Sequence, residues 1–191
     1  METELKTDKK LKLVAIVPPE PLFSFVKEEQ NFIAQKWNVR QALRTPPHIT
    51  LIPPISLDEG ESEELDRISK EIASMHASFR LKVTKYETFS PKVIYIKPSF
   101  PYVLRVLYTD LMDAIIAKIP HAIQKYPYES FVPHITIAYR DLDPLRFKEV
   151  WKYYKNKKVN FAVDIERICI LDNSAEGWVI SDSYELTANK K

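Results

Sequence analysis

Apolar residues along the 191-residue chain follow two kinds of spacing, and the two kinds alternate. Short runs rich in Val, Ile and aromatic residues, bounded by proline, predict β-strands. Longer segments with an apolar residue every three to four positions predict helices. The first part of the chain therefore has a predicted strand at 11–19, helix at 20–37, strand at 46–54, helix at 58–76 and strand at 79–89.

The same order of elements then occurs a second time. The patterns predict a strand at 91–98, a helix at 102–119, a strand at 131–139, a helix at 143–156, a strand at 159–171 and a closing strand at 177–186. A repeated β-α-β-α-β order indicates duplication of one structural unit.

This repetition predicts the fold class and the domain organisation. We expect one bilobed α+β domain over 1–191, with antiparallel-rich sheets and pseudo-twofold symmetry around a central cleft. Repeat unit one covers about 11–90, repeat unit two about 91–172, and the closing strand about 177–186.

The tetrapeptide Pro-His-Ile-Thr occurs once in each unit, at the central predicted strand. It places His48 and Thr50 in "TPPHITLIPP" and His134 and Thr136 in "FVPHITIAYR". Side chains at i and i+2 of a strand point to the same face, so each strand presents an imidazole and a hydroxyl to one side. Two such strands facing each other would bring two imidazoles and two hydroxyls around one point.

That set of groups suits acid–base chemistry at a phosphodiester. One neutral histidine can take a proton from a nucleophile while a second, protonated histidine donates to the departing oxygen. The threonine hydroxyls can donate to the non-bridging phosphoryl oxygens. This scheme requires no metal and no other cofactor. Of the two possible assignments, we favour His134 as base and His48 as acid.

Further candidates for substrate binding flank the motifs. If the extended conformation continues, Arg140 points to the same strand face as His134, and Arg44 points to the same face as His48. Either arginine could supply a fixed positive charge for phosphate. The alternative is that both are arginines in solvent. Tyr139, Phe131 and Tyr128 flank the second motif and could stack on a base, the alternative being a role in the core or at its rim.

The other two histidines lack the motif. Neither His76 nor His121 is followed by a hydroxyl residue at i+2. We therefore expect both to be surface or helix-capping residues.

Composition narrows the function classes. With 28 Lys and Arg against 26 Asp and Glu, the chain lacks the strong basic excess of many nucleic-acid-binding domains. Only two glycines are present, which excludes a Walker loop and a dinucleotide-binding fingerprint. Side chains must therefore hold any phosphate.

Composition also bears on the compartment. A single cysteine, Cys169, excludes an internal disulfide and fits a reducing compartment. No apolar run approaches a membrane span, and the first residues mix acids with lysines, unlike a signal peptide. We expect a cytoplasmic monomer without membrane contact, with Cys169 as a small buried apolar residue.

The two H-x-T motifs, 86 positions apart and flanked by apolar residues, resemble the signature of the two-histidine (2H) phosphoesterase superfamily, which includes 2′-5′ RNA ligase-like and cyclic phosphodiesterase-like proteins. The resemblance implies a bilobed fold with both motifs lining the cleft. It also implies metal-independent cleavage or transfer at 2′,3′-cyclic, 1″,2″-cyclic or 2′-5′ linked nucleotides. The implied partner is thus a nucleotide or RNA end with a cyclic phosphate or a 2′-5′ linkage.

One position departs from the family pattern. Several ligase-like members carry an arginine directly behind the second motif, as in H-x-T-L-A-R, whereas this chain has Tyr139 there and Arg140 one residue later. The offset gives Arg140 the opposite strand parity from the family's arginine.

Two other functions remain open from the sequence. One is a non-catalytic nucleotide or RNA-end binding protein with the same cleft. The other is a zinc site formed by His48 and His134 with Asp141 or Asp143, which is weaker because a threonine at each i+2 contributes nothing to zinc binding.

Overall fold

A computed structural model describes residues 9–89, 91–123 and 131–187. The strands in these ranges are β1 Lys10–Ile16, β2 Ile49–Leu57, β3 Phe79–Phe89, β4 Val93–Pro98, β5 Ile135–Tyr139, β6 Lys158–Ile165, β7 Arg167–Ser174 and β8 Gly177–Glu185. The helices are α1 Leu22–Trp37, α2 Glu59–Met75, α3 Tyr102–Lys118 and α4 Pro144–Tyr154, with short 3-10 turns at Gln41–Arg44 and Pro120–Ala122.

The strands form two four-stranded antiparallel sheets. The first sheet has the order β2-β1-β7-β8 and the second has the order β5-β4-β3-β6. Each motif strand, β2 or β5, lies at one edge of its sheet beside the first strand of its own repeat unit. The predicted mixture of helices and antiparallel sheets is confirmed.

One predicted strand is in fact two. The run at 159–171 divides into β6, which pairs with β3 in the second sheet, and β7, which pairs with β1 in the first. The break falls at Glu166, where the residues that pack in the core with the helices change from odd to even numbers, from Ile165 to Ile168 and Ile170. A strand cannot keep one apolar face through such a change of parity, so the chain crosses between sheets there.

The apolar residues form two clusters on opposite faces of the first sheet. The larger one is the main core, in which both sheets pack against the helices. The smaller one, which we call the apolar floor, consists of buried Leu13, Ala15, Cys169 and Leu171 with partly buried Val17 and Trp178 packed against them. Cys169 is thus a buried apolar residue, as predicted. No helix in the described ranges has the length and apolar character to cross a bilayer.

Candidate active site

The two motif strands have the same register relative to their neighbours. In the first sheet Thr50 lies opposite Ala15, and in the second sheet Thr136 lies opposite Tyr95. In both strands the isoleucine between His and Thr is fully buried in the core, so His and Thr face the other way. The predicted parity within each motif is therefore confirmed.

A β-bulge follows each threonine at the same position. Leu51 in β2 and Ile137 in β5 have no partner in the register, and both are buried. The extra residue reverses the alternation beyond the bulge. As a result Tyr139 lines the cleft together with Thr136, while Ala138 is buried.

These strands contribute to one cleft with a volume of about 510 Å³. It contains six of the nine predicted site residues, namely His48, Thr50, His134, Thr136, Tyr139 and Arg140. Arg140 reaches it from a left-handed backbone conformation with φ of 61°, just after β5 ends. The expected extended conformation therefore stops before Arg140, although its side chain still lines the cleft.

The other predicted residues lie elsewhere. Arg44 belongs to a 3-10 turn rather than an extended run, and its Nη2 donates to the Ala175 carbonyl at 3.0 Å, outside the cleft lining. The Phe131 ring stacks on Tyr108, with centroids 4.1 Å apart, and it does not line the cleft either. Tyr128 lies outside the described residues.

The two histidines without the motif also lie outside the cleft lining. His76 ends helix α2, and its Nε2 is 2.8 Å from a carboxylate oxygen of Asp110. Of the two expected roles, His76 has the helix-capping one and not the surface position, since it is 8% exposed. His121 is half-exposed and pairs with Glu61 at 3.1 Å.

Both motif histidines have the same tautomer. Nδ1 of His48 lies 2.8 Å from the Pro46 carbonyl oxygen, and Nδ1 of His134 lies 2.8 Å from the Val132 carbonyl oxygen. A carbonyl oxygen only accepts hydrogen bonds, so each Nδ1 carries the proton and donates it. Nε2 is then the atom that accepts a proton in the neutral ring and donates one in the charged ring.

Burial lowers the pKa of both imidazoles. For His48 the hydrogen bond to Pro46 opposes this effect, and the charge of His134 lowers the pKa further. For His134 burial is again the largest cause, opposed by the hydrogen bond to Val132. Since a charge on one ring disfavours a charge on the other, the pair takes up one proton more readily than two. One charged and one neutral imidazole is the state that acid–base catalysis needs.

Only the second histidine has aromatic neighbours in the described ranges. The His134 ring makes edge contacts with Phe89 and Tyr95, with centroid distances of 5.0 and 5.5 Å. These two rings also contact each other, at 4.5 Å. They form a wall that limits how the His134 ring can turn.

The Tyr95 ring of this wall is held by a hydrogen bond to a charged side chain. The Tyr95 hydroxyl donates to Glu87 at 3.3 Å. Glu87 pairs with Lys85 and Lys97 at 2.5 and 3.0 Å, and the hydrogen bond from Lys85 is the largest cause of its lowered pKa. Glu87 is therefore an ionised acceptor that holds Tyr95 in place.

The structure adds Gln30 to the cleft. Its Nε2 donates to the Thr136 carbonyl at 3.0 Å, so it caps the free edge of β5 behind the motif. Its Oε1 has no hydrogen-bond partner among the described residues although the side chain is 3% exposed. The sequence contained a signal for this residue, because Gln30 falls on the buried stripe of α1 with Val26 and Ile33.

The β7–β8 hairpin also reaches the cleft, through Asn173 and Trp178. The hairpin sits directly on the turn before the first motif, since a Cβ at Gly177 would lie 2.2 Å from the Arg44 carbonyl oxygen. Gly177 also has φ of 134°, a conformation that other residues rarely adopt. Nothing in the linear pattern indicated this approach.

The carboxylates proposed for zinc have other partners. Asp141 Oδ2 accepts the backbone N–H groups of Arg40 and Gln41 at 2.6 and 3.2 Å, and Asp143 caps the start of α4. The described ranges contain no group of three or more His, Cys, Asp and Glu residues placed to hold a metal ion. In the described ranges, the structure therefore does not place ligands for the zinc site considered from the sequence.

Comparison with known proteins identifies the family. The sequence pattern of the 2′-5′ RNA ligase superfamily matches residues 18–177, so the chain belongs to that superfamily. A Geobacillus thermodenitrificans protein with the name "Putative phosphoesterase" is 31% identical over 162 residues, which cover 83% of this chain and 88% of that protein. A protein of similar name from Geobacillus kaustophilus is 29% identical over 174 residues, covering 90% and 93%.

Two solved structures share the fold. The crystal structure of TT0787 from Thermus thermophilus superposes with a TM-score of 0.68 at 19% identity, covering 94% of this chain and 99% of that chain. The crystal structure of Escherichia coli LigT complexed with 3′-AMP gives a TM-score of 0.63 at 16% identity, with the same coverage. The resemblance noted from the two H-x-T motifs is therefore confirmed at the level of family and fold.

Proposed function

We propose that the chain is a metal-independent phosphoesterase that acts on a 2′,3′-cyclic phosphate or a 2′-5′ linkage of a nucleotide or RNA end. The observation that carries this proposal is the matched pair of imidazoles, His48 and His134. Both line one cleft, and in both Nδ1 is bound to a backbone carbonyl, which leaves Nε2 for the substrate. The phosphoesterase names of the relatives support the reaction class. The LigT complexes with 3′-AMP, NADP+ and ATP support a nucleotide ligand.

The proposed hydrolysis of a cyclic phosphate needs two proton transfers. Neutral His134 accepts a proton from water at Nε2 while the water oxygen bonds to phosphorus. The bond from phosphorus to one ribose oxygen breaks, and protonated His48 donates from Nε2 to that oxygen. The product is a phosphomonoester, and the two rings have exchanged protonation states.

The remaining groups stabilise charge and orient the substrate. In this scheme the hydroxyls of Thr50 and Thr136 donate to the non-bridging phosphoryl oxygens. Arg140 supplies the fixed positive charge that a site without a glycine loop must take from a side chain. Tyr139, on the same face as Thr136, offers a ring for stacking on a base.

The test is turnover in the presence of EDTA on a panel of 2′,3′-cyclic nucleotides, ADP-ribose 1″,2″-cyclic phosphate and a 2′-5′ dinucleotide. We expect turnover of at least one member, and a loss of about a hundredfold or more in both His48→Ala and His134→Ala. His121→Ala is the matched control, because His121 lies outside the cleft lining, and it should keep wild-type turnover.

Other outcomes would contradict the proposal in different ways. Loss of turnover with EDTA would indicate a metal-dependent reaction. Nucleotide binding without turnover of any panel member would indicate a nucleotide-binding protein with the same cleft.

A further inference from the structure

A second cavity lies beside the candidate active site, on the same face of the first sheet. It has a volume of about 400 Å³, and we call it the distal cavity. Its apolar walls are Val17, Pro18, Pro19, Ile165, Cys169 and Ile180.

The apolar floor connects the distal cavity to the cleft. Leu13 and Trp178 belong to the floor and line the cleft, whereas Val17 and Cys169 belong to the floor and line the distal cavity. The six floor residues pack as one cluster. The two cavities therefore lie at the two ends of one packed apolar cluster, whose other members, Ala15 and Leu171, are fully buried.

The spacing between the cavities is short. Trp178 and Ile180 are two residues apart on β8, which corresponds to about 7 Å along a strand. Leu13 and Val17 are four residues apart, which corresponds to about 13 Å at most. A ligand bound at the two histidines therefore has to extend by roughly one further unit to reach the distal cavity.

The chemistry of the distal cavity favours an uncharged, largely apolar group. Burial raises the pKa of the Cys169 thiol, which therefore lines the cavity as a neutral group. At the rim, Asp164 is matched by Arg80 at 2.8 Å, and Glu166 and Arg167 have opposite charges. Apolar walls with a few polar groups at the rim are typical of sites for small organic ligands, and the volume lies within their usual range.

We propose that the distal cavity binds the base of a second nucleotide, so that the chain acts on the end of an oligonucleotide in preference to a mononucleotide. This inference rests on the proposed function, because it takes the two histidines as the place of the reacting phosphorus. The nucleoside next to that phosphorus lies over Trp178 and Leu13, and the following base enters between Val17 and Ile180. Protein pockets hold bases between aromatic or apolar side chains.

The test compares adenosine 2′,3′-cyclic phosphate with the dinucleotide adenylyl-(3′→5′)-adenosine 2′,3′-cyclic phosphate. We expect kcat/KM to be at least about tenfold higher for the dinucleotide. Ile180→Trp and Ser183→Trp each fill the distal cavity from an exposed position of β8. Each should bring the dinucleotide to mononucleotide ratio to within about twofold of one.

A matched control lies next to Ile180 on the same strand. Val179 is 50% exposed and Ile180 is 47% exposed, but neighbouring residues of a strand point to opposite faces. Val179→Trp therefore adds the same ring away from the distal cavity, and it should keep the wild-type ratio.

Three results would overturn the inference: a wild-type ratio near one, a high ratio that persists in both cavity variants, or an equal loss in Val179→Trp. The dissociation constants of two phosphomonoester probes, adenosine 3′-phosphate and adenylyl-(3′→5′)-adenosine 3′-phosphate, test the same preference without turnover. A tighter dinucleotide with no turnover of either cyclic phosphate would support the distal cavity and count against the proposed function alone. Equal dissociation constants would overturn the inference whatever the turnover.

Discussion

The two halves of the cleft are alike at the histidines and different beside them. Each histidine has the same 2.8 Å bond to a carbonyl two residues upstream, and each threonine is followed by a buried bulge residue. The residue opposite the threonine, however, is Ala15 in the first sheet and Tyr95 in the second. The small residue is part of the apolar floor, whereas the large one forms a wall against His134.

A second difference follows the bulge. The first strand continues with Pro53 and Pro54, where the second has Tyr139 and Arg140. The cationic group and the half-buried Tyr139 ring thus come from the second half, and the apolar floor comes from the first. The two halves thus share a matched histidine and threonine, and they differ in the charged, aromatic and apolar residues beside them.

The largest expected effect concerns the part that the halves share. His48→Asn and His134→Asn should each lower kcat by about 10²–10⁴-fold, since each removes one proton transfer. The double variant should be little worse than the poorer single variant, because the two rings act as one unit. Single-turnover rates of the three variants measure this. A fully multiplicative loss in the double variant would mean that the two halves act independently.

The next effect concerns charge. Arg140→Gln should lower kcat/KM by about 10–100-fold, the usual value of a charge-assisted hydrogen bond. The matched control is Arg44→Gln, since Arg44 occupies the place before the first motif and binds the Ala175 carbonyl outside the cleft lining. It should stay within about threefold of wild type. Equal losses in both variants would show that the charge is not specific to the second half.

A smaller effect concerns the aromatic wall. Phe89→Ala removes a ring that is 38% exposed and contacts His134. Less burial should raise the pKa of His134 towards its ordinary value, so the ascending limb of the pH profile of kcat/KM should move to higher pH if His134 is the base.

Tyr95→Phe serves as the control for this measurement, because it keeps the ring and loses only the bond to Glu87. Tyr95→Phe should leave the ascending limb of the pH profile of kcat/KM unchanged. A shift of the descending limb in Phe89→Ala would instead assign His134 as the acid. An unchanged profile would contradict the role of the wall.

The smallest effect concerns stability. Both histidine pKa values are lower in the folded protein than in the unfolded chain, so the unfolded chain binds more protons as pH falls. The free energy of unfolding should be highest above the ordinary histidine pKa of about 6.5 and should fall as pH drops from there towards the folded-state values. Urea unfolding at a series of pH values measures this. The double His→Asn variant should lose part of this dependence, and an unchanged dependence would contradict the lowered pKa values.

Much of the fold and the centre of the site were predictable because they depend on local alternation. The parity of His and Thr within each motif follows from two-residue periodicity, and both pairs lie in one cleft. The division of the strand at Glu166 was also present in the sequence as a change of parity between Ile165 and Ile168.

Features that depend on distant contacts were not predictable in this way. The bulge at Ile137 moves Tyr139 to the cleft face, and only the pairing of β5 with β4 reveals it. The position of Arg44 depends on the hairpin that carries Ala175, far along the chain. Trp178 reaches the cleft because Gly177 allows that hairpin to approach.

The bond from each Nδ1 to its carbonyl has a consequence for the direction of the proposed reaction. After one cleavage the ring that was the base is charged and the ring that was the acid is neutral, while both keep the same tautomer. That end state is the starting state for the reverse reaction, in which a ribose hydroxyl attacks phosphorus. The same two side chains would then serve both opening and closing of the cyclic phosphate, with water as the leaving group on closing, and the relative concentrations of water, cyclic phosphate and phosphomonoester would decide which one prevails.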